Sequence, residues 1–251
     1  MSLIITVYVP EGIVIAGDSR LTLNWTNKTQ DGEHHNSITT SDSYTKIFSL
    51  ADKFGLGIFG EVYVNEVNIC GFLNQFAEQN IDENTTIDEI PERLILFFGE
   101  KFNYPATHFY LVGYKIESGV SVPHTYSINL AEKNYTRSNF ENEQIINGAN
   151  WGGEIEILSR ILLTVQMQRG DEWAEVANNA IPWNFMTLQD AIDFGVYAVR
   201  TTIDTMRFQQ KEKTVGGPID VLVIQPHIMS QFLYRRKNCV LPKSVIIMLH
   251  P

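Results

Sequence analysis

The chain opens on two apolar runs around a three-residue turn: Leu3-Ile4-Ile5-Thr6-Val7-Tyr8-Val9, Pro10-Glu11-Gly12, then Ile13-Val14-Ile15-Ala16-Gly17-Asp18. A half-buried strand would alternate apolar with polar residues. Here Leu3, Ile5, Val7 and Val9 interleave with Ile4, Thr6 and Tyr8, so both faces are apolar. Such strands are buried from both sides. The opening hairpin therefore belongs in the interior of a layered structure.

The rest of the pattern supplies the layers. A second strand pair runs over Lys46–Leu50 and Phe54–Phe59, turns at Asp52-Lys53 and closes on Gly60. From Val62 the spacing of Val62, Ile69, Leu73, Phe76 and Ala77 predicts a helix, and Ile87 to about Phe102 a second, with Pro91 in its first turns. Strands return at Thr107–Ile116, His124–Leu130 and near Glu143–Asn147. After Gly148 the stripe Ile155, Leu158, Ile161, Leu162, Val165 predicts a helix ending near Gly170. Thr187-Leu188-Gln189-Asp190 reads as a capping box that starts another, and Gly216-Gly217-Pro218 leads into the strand Ile219–Ile224. Separate helix pairs around doubly buried strands predict an α+β fold with two sheets face to face and helices outside each, a four-layer αββα sandwich. One domain spans 1–251, with a polar insertion or lid at about 21–45 and an extra C-terminal segment at about 227–251.

At 251 residues and 44% hydrophobic content the chain can bury a core of that size. Its net charge of -10 argues against a nucleic-acid or anionic-membrane surface. No apolar run approaches the roughly 18 residues that span a bilayer, and no basic flank precedes the first strand, so the expected location is cytoplasmic. Cys70 and Cys239 are far apart and suggest no disulfide framework. Glu33-His34-His35 lacks convergent metal-ligand spacing, and the Gly-Gly pairs lack a phosphate-binding context, so neither metal nor cofactor is expected.

Ser2 carries the chemistry of interest. Once Met1 is removed, its hydroxyl sits beside its own α-amine, which titrates near about 8 and can accept the hydroxyl proton without a histidine. Hairpin partners around Pro10–Gly12 sum to about 21–23, which sets Ser2 near Ser19 and Asp18. In the even register Ser2 and Asp18 share a face.

Several blocks resemble proteasome β-type subunits of the N-terminal-nucleophile hydrolases: Ser2 to Arg20 with its Ala16-Gly17-Asp18-Ser19-Arg20 ending, Lys46 to Gly60, Gly148, and Gly216-Gly217-Pro218-Ile219-Asp220. The resemblance covers most of the chain to about residue 226. It implies the four-layer architecture, with Ser2 as nucleophile, Asp18 and Lys46 tuning its amine, and the Gly60 N–H stabilising the oxyanion. It also implies a peptide or other amide as substrate, self-association as a homo-oligomer or ring, and an ATP-driven unfoldase as a possible partner. Ala149 stands where the family has serine, and Glu212 and Val215 stand where it has aspartate and serine.

Each residue has a plainer reading. Met-Ser is a common start, Asp18 can simply end a strand, Lys46 can reach solvent from a strand start, and Gly60 can connect strand to helix. Two functions follow: an N-terminal serine amidohydrolase, or a catalytically inactive structural or interaction subunit on the same fold, which Ala149, Val215 and a retained Met1 favour.

Overall fold

A computed structural model describes residues 2–29, 32–64, 66–176, 179–226 and 231–234. In chain order the strands are β1 (Leu3–Val9), β2 (Gly12–Asp18), β3 (Leu21–Thr29), β4 (Gly32–Ser41), β5 (Ile47–Leu50) and β6 (Phe54–Gly60). Helices α1 (Leu73–Asn80) and α2 (Ile90–Phe102) follow, then β7 (Thr107–Glu117), β8 (Val120–Asn129), β9 (Asn134–Arg137) and β10 (Gly148–Gly153). Helix α3 (Glu156–Leu162), the hairpin β11 (Val165–Arg169) and β12 (Glu172–Val176), α4 (Leu188–Phe208), β13 (Ile219–Ile224) and β14 (Gln231–Tyr234) complete it. Met1, Cys239 and the apolar stretch Val245 to Leu249 lie outside the described residues, as do the side chains of Glu33, His34 and His35.

The fold is mixed α/β, built on antiparallel sheets. One five-stranded sheet runs β10-β1-β2-β13-β14 and another β9-β8-β7-β6-β5. Every residue of β1 and β2 is buried, as their doubly apolar sequence requires. On one face, Ile4, Ile13, Ile15 and Leu222 meet Ile47, Phe59, Tyr110 and Val112 of the other sheet. On the opposite face, Leu3, Ile5, Val7, Val14 and Ala16 pack on Ile157 and Leu158 of α3 and Ala191, Val199 and Met206 of α4. The second sheet turns Leu56, Ile58, Phe109 and Leu111 toward Leu73, Phe76, Leu94 and Phe98 of α1 and α2. The Thr187 capping box forms as the sequence predicts. Among the described residues, no helix is long and apolar enough to cross a membrane.

The polar stretch 21–45, expected as an insertion or lid, is largely an extended hairpin, β3 with β4, paired from Leu21↔Ser41 to Thr29↔Gly32. Three expectations need correction. The helix expected from Val62 starts only at Leu73, because Tyr63–Val64 and Val67–Asn68 pair and the Ile69 N–H donates back to the Val62 carbonyl. Gly148 begins a strand and not a helix: β10 pairs with β1 from Tyr8↔Gly148 to Leu3↔Gly153. Glycine suits that edge, since a Cβ on Gly152 would lie 2.3 Å from the Phe59 ring. Finally α3 stops at Leu162, Val165 enters the β11–β12 hairpin, and Ile155 and Ile161 are exposed.

Candidate functional site

The β1/β2 register sums to 21, as in Ile4↔Gly17, which is odd and not the even register that would set Ser2 and Asp18 on one face. It brings Asp18 beside Leu3 instead. The Leu3 N–H donates to Asp18 Oδ1 at 2.9 Å, one residue from Ser2. Lys46, just before β5, extends Nζ to the same oxygen at 2.8 Å. Its carbonyl accepts the Ile58 N–H, which ties the lysine to β6. Oδ2 accepts the Arg20 and Gly216 N–H groups, both at 3.0 Å.

That carboxylate thus holds four donors while the Lys46 and Asp18 side chains are 2% and 0% exposed. A buried ion pair repays its desolvation only when its remaining valences are satisfied, and removing one partner typically costs about 3–5 kcal/mol. The Gly216-Gly217-Pro218 segment completes the arrangement. The Ser19 N–H donates to the Gly216 carbonyl and Ser19 Oγ to the Pro218 carbonyl at 2.6 Å. A Cβ on Gly216 would come within 2.5 Å of the Arg20 guanidinium, so a side chain there would displace Arg20.

Ser2 is buried, and its carbonyl accepts the Glu154 N–H at 2.8 Å. Gly153 must be glycine: its φ is +91° and a Cβ would stand 1.8 Å from the Ser2 carbonyl oxygen. Gly60 also adopts φ +91° at the end of β6. No helix begins there, contrary to the strand-to-helix reading, because the chain continues through Glu61, whose N–H donates to the Ala106 carbonyl. Gly60 and Gly153 line one cleft of about 490 Å³ with Leu21, Thr22, Phe59 and His108. The Thr22 hydroxyl on its wall is buried and makes no hydrogen bond. Burial lowers the His108 imidazole below its usual range, which favours the neutral ring beside Phe59.

The structure therefore joins Asp18 to Lys46 and sets both at the peptide that follows Ser2, with Gly60 on a cleft reaching the neighbour of Ser2. Other expected positions fall elsewhere. Ala149 pairs with Val7, five strand residues from Ser2, roughly 16 Å at 3.3 Å per residue. Glu212 is exposed and Val215 is buried in the apolar cluster with α4. Beside Ser2 stands one residue that sequence reasoning missed, Glu154, with Thr214 and Lys211 on its carboxylate. Glu154 is 8% exposed; its Oε2 accepts the Thr214 hydroxyl at 3.3 Å and its Oε1 meets Lys211 Nζ at 3.1 Å. The available signal was an acid directly after Gly152-Gly153.

Cys70 is no competing nucleophile. Burial pushes its thiol up to about 11, and the Tyr44 hydroxyl bonds both its Sγ and Asn68 Oδ1. The thiolate, which is the reactive form, is suppressed. Compared with known proteins, the chain matches no family model and no curated sequence.

Proposed function

We propose that the chain is an N-terminal-nucleophile amidohydrolase on a four-layer αββα sandwich, a peptidase similar to proteasome β subunits. The observation that carries this reading is the Lys46–Asp18 ion pair, buried at 2.8 Å with the Leu3 N–H on the same carboxylate oxygen. An apolar pair would suit that site at lower desolvation cost, so a retained ammonium beside residue 2 points to chemistry there. The two apolar sheet faces in mutual contact, with helices on each outer face, support the architecture.

With everything before Ser2 removed, the Ser2 hydroxyl attacks an amide carbonyl and its proton passes to the freed α-amine. The amine returns that proton to the leaving nitrogen, and water then hydrolyses the ester on Ser2 Oγ, restoring the hydroxyl. The Lys46 ammonium disfavours a second positive charge nearby and so favours the neutral, basic amine. Asp18 holds the lysine in place. The Gly60 N–H, on the cleft beside Gly153, serves the developing oxyanion. The substrate is a peptide or other amide, the working form a homo-oligomer or ring, and an ATP-driven unfoldase is the partner such a ring would take.

A second reading, a catalytically inactive subunit, is favoured by one observation: three of the four donors on Asp18 are backbone N–H groups, so the carboxylate also ties β1, β2 and residue 216 together. The two readings separate on intact mass and hydrolysis of fluorogenic peptide amides. The enzyme account requires a chain beginning at Ser2 and activity lost in Ser2→Ala; equal activity in that variant excludes Ser2.

A further inference from the structure

Ser2 lies within a closed circuit of hydrogen bonds. Its carbonyl accepts the Glu154 N–H, the Glu154 carboxylate accepts the Thr214 hydroxyl, Gly216 N–H reaches Asp18, and Asp18 accepts the N–H of Leu3. Only Val215 separates Thr214 from Gly216. Two acidic residues thus flank the start of β1: Asp18 from β2, at the Leu3 N–H, and Glu154 from the end of β10, at the Ser2 carbonyl. Asp18 carries its own ammonium, Lys46, buried with it. Glu154 is buried too, but its cation, Lys211, is shared with Glu156 at 2.8 Å and is part-exposed. Glu154 follows the last β1/β10 pair, Leu3↔Gly153, and its N–H on the Ser2 carbonyl at 2.8 Å holds the two residues side by side.

We infer that Glu154 is the positioning residue for the α-amine of Ser2, and that Thr214 and Lys211 hold its carboxylate for that purpose. This rests on the reading of Ser2 as an N-terminal nucleophile and deepens it. A free amine on a terminal residue turns about one bond, and a carboxylate opposite it selects the rotamer in which the amine can meet Oγ. The family-like positions Ala149 and Val215 cannot do this: the first lies at the far end of β1 and the second in the apolar core. Glu154 supplies the missing acceptor from a different place in the chain.

The charges around the amine fix the sign of the effect. Asp18, on β2, and Lys46, just before β5, are paired at the Leu3 N–H, one residue from it. Glu154 follows β10, Lys211 follows α4, and Asp220 lies on β13 beside Ser19; Arg20 is turned to Asp42. Carboxylates favour the ammonium form and cations the neutral amine. Replacing Glu154 with glutamine keeps an acceptor but removes a negative charge, so the amine should lose its proton at lower pH. Replacing Lys211 with methionine removes the positive charge nearest Glu154, so the amine should lose its proton at higher pH.

The test uses the full chain released at Ser2 from a cleavable leader, with thermal melts confirming that each variant folds. Competitive acetylation of the Ser2 α-amine across pH reads its titration without requiring activity. Relative to wild type, Glu154→Gln should shift the midpoint down by about one pH unit and Lys211→Met should shift it up. A midpoint that stays in place or rises in Glu154→Gln, or stays or falls in Lys211→Met, overturns the inference, since a carboxylate held at the amine must favour its charged form. Labelling of wild-type Ser2 by an amide-mimicking electrophile, run alongside, separates the two claims. Shifts without labelling refute the nucleophile reading and keep Glu154; labelling without shifts does the reverse.

Discussion

Two buried polar networks in this molecule meet the same desolvation cost in opposite ways. At the start of β1 the Lys46 ammonium and Asp18 carboxylate lie 2.8 Å apart, and four donors satisfy the acid. On β7 and β8 the His124 ring, 3% exposed, places Nδ1 2.9 Å from the Tyr126 hydroxyl and Nε2 2.8 Å from Glu117 Oε1. There burial lowers the imidazole below its usual range, against the Glu117 hydrogen bond and with help from the Arg137 charge, and pushes the Tyr126 hydroxyl up to about 12. The second network thus keeps histidine and tyrosine neutral, with its carboxylate, Glu117, at the partly exposed edge. Neutral groups join the strands at His124; the proposed function assigns the buried ammonium at Lys46 to the α-amine of Ser2.

The comparison can be broken most forcefully at Lys46. Lys46→Met leaves Asp18 buried without its cation, so unfolding stability should fall by about 3–5 kcal/mol in denaturant titrations. Amide hydrolysis should fall by about 10²-fold or more even at temperatures where the variant is folded. A variant that loses stability but keeps its turnover would make the ion pair purely structural, like the network at His124.

Next in size is the pH response of His124. Its native pKa is depressed, so the unfolded chain binds the proton more readily. The contribution to stability is therefore present above the unfolded value near about 6.5 and lost as pH falls below it. The wild-type melting temperature should drop between pH 7 and pH 5, and His124→Gln should flatten that drop. An unchanged slope would mean that other groups set the acid limb.

The smallest expected effect is at Tyr126. Tyr126→Phe removes one hydrogen bond to His124 and should cost about 1 kcal/mol, with amide hydrolysis unchanged. A loss of activity there would couple the two networks and weaken the contrast between them.

How much of this was legible in the sequence depends on the range of the interaction. The β1–β2 hairpin, the Thr187 capping box and β13 follow from local pattern, because turn residues and periodicity sit within a few positions of each other. Asp18, Lys46 and Gly60 could be singled out only through resemblance; nothing in their local composition distinguishes a buried ion pair from a strand end. The β3–β4 hairpin carries polar residues on alternating and consecutive positions alike, so no period of two emerges from it. β10 escaped because Ile155, Leu158, Ile161 and Leu162 downstream suggest a helix, whereas Gly152 and Gly153 are shaped by Phe59 and Ser2, which lie some ninety and a hundred and fifty residues away in sequence. Glu154 was hidden for the same reason: its partners, Ser2 and Thr214, are brought to it only by the sheet and by the segment after α4.

The most direct measurement is peptide mapping by mass spectrometry after treating the protein that begins at Ser2 with a β-lactone, an electrophile that acylates an activated hydroxyl. The account predicts a single adduct on Ser2 Oγ, strongly reduced in Lys46→Met and absent from Ser2→Ala. An unmodified Ser2, or labelling that Lys46→Met leaves at full rate, would contradict it.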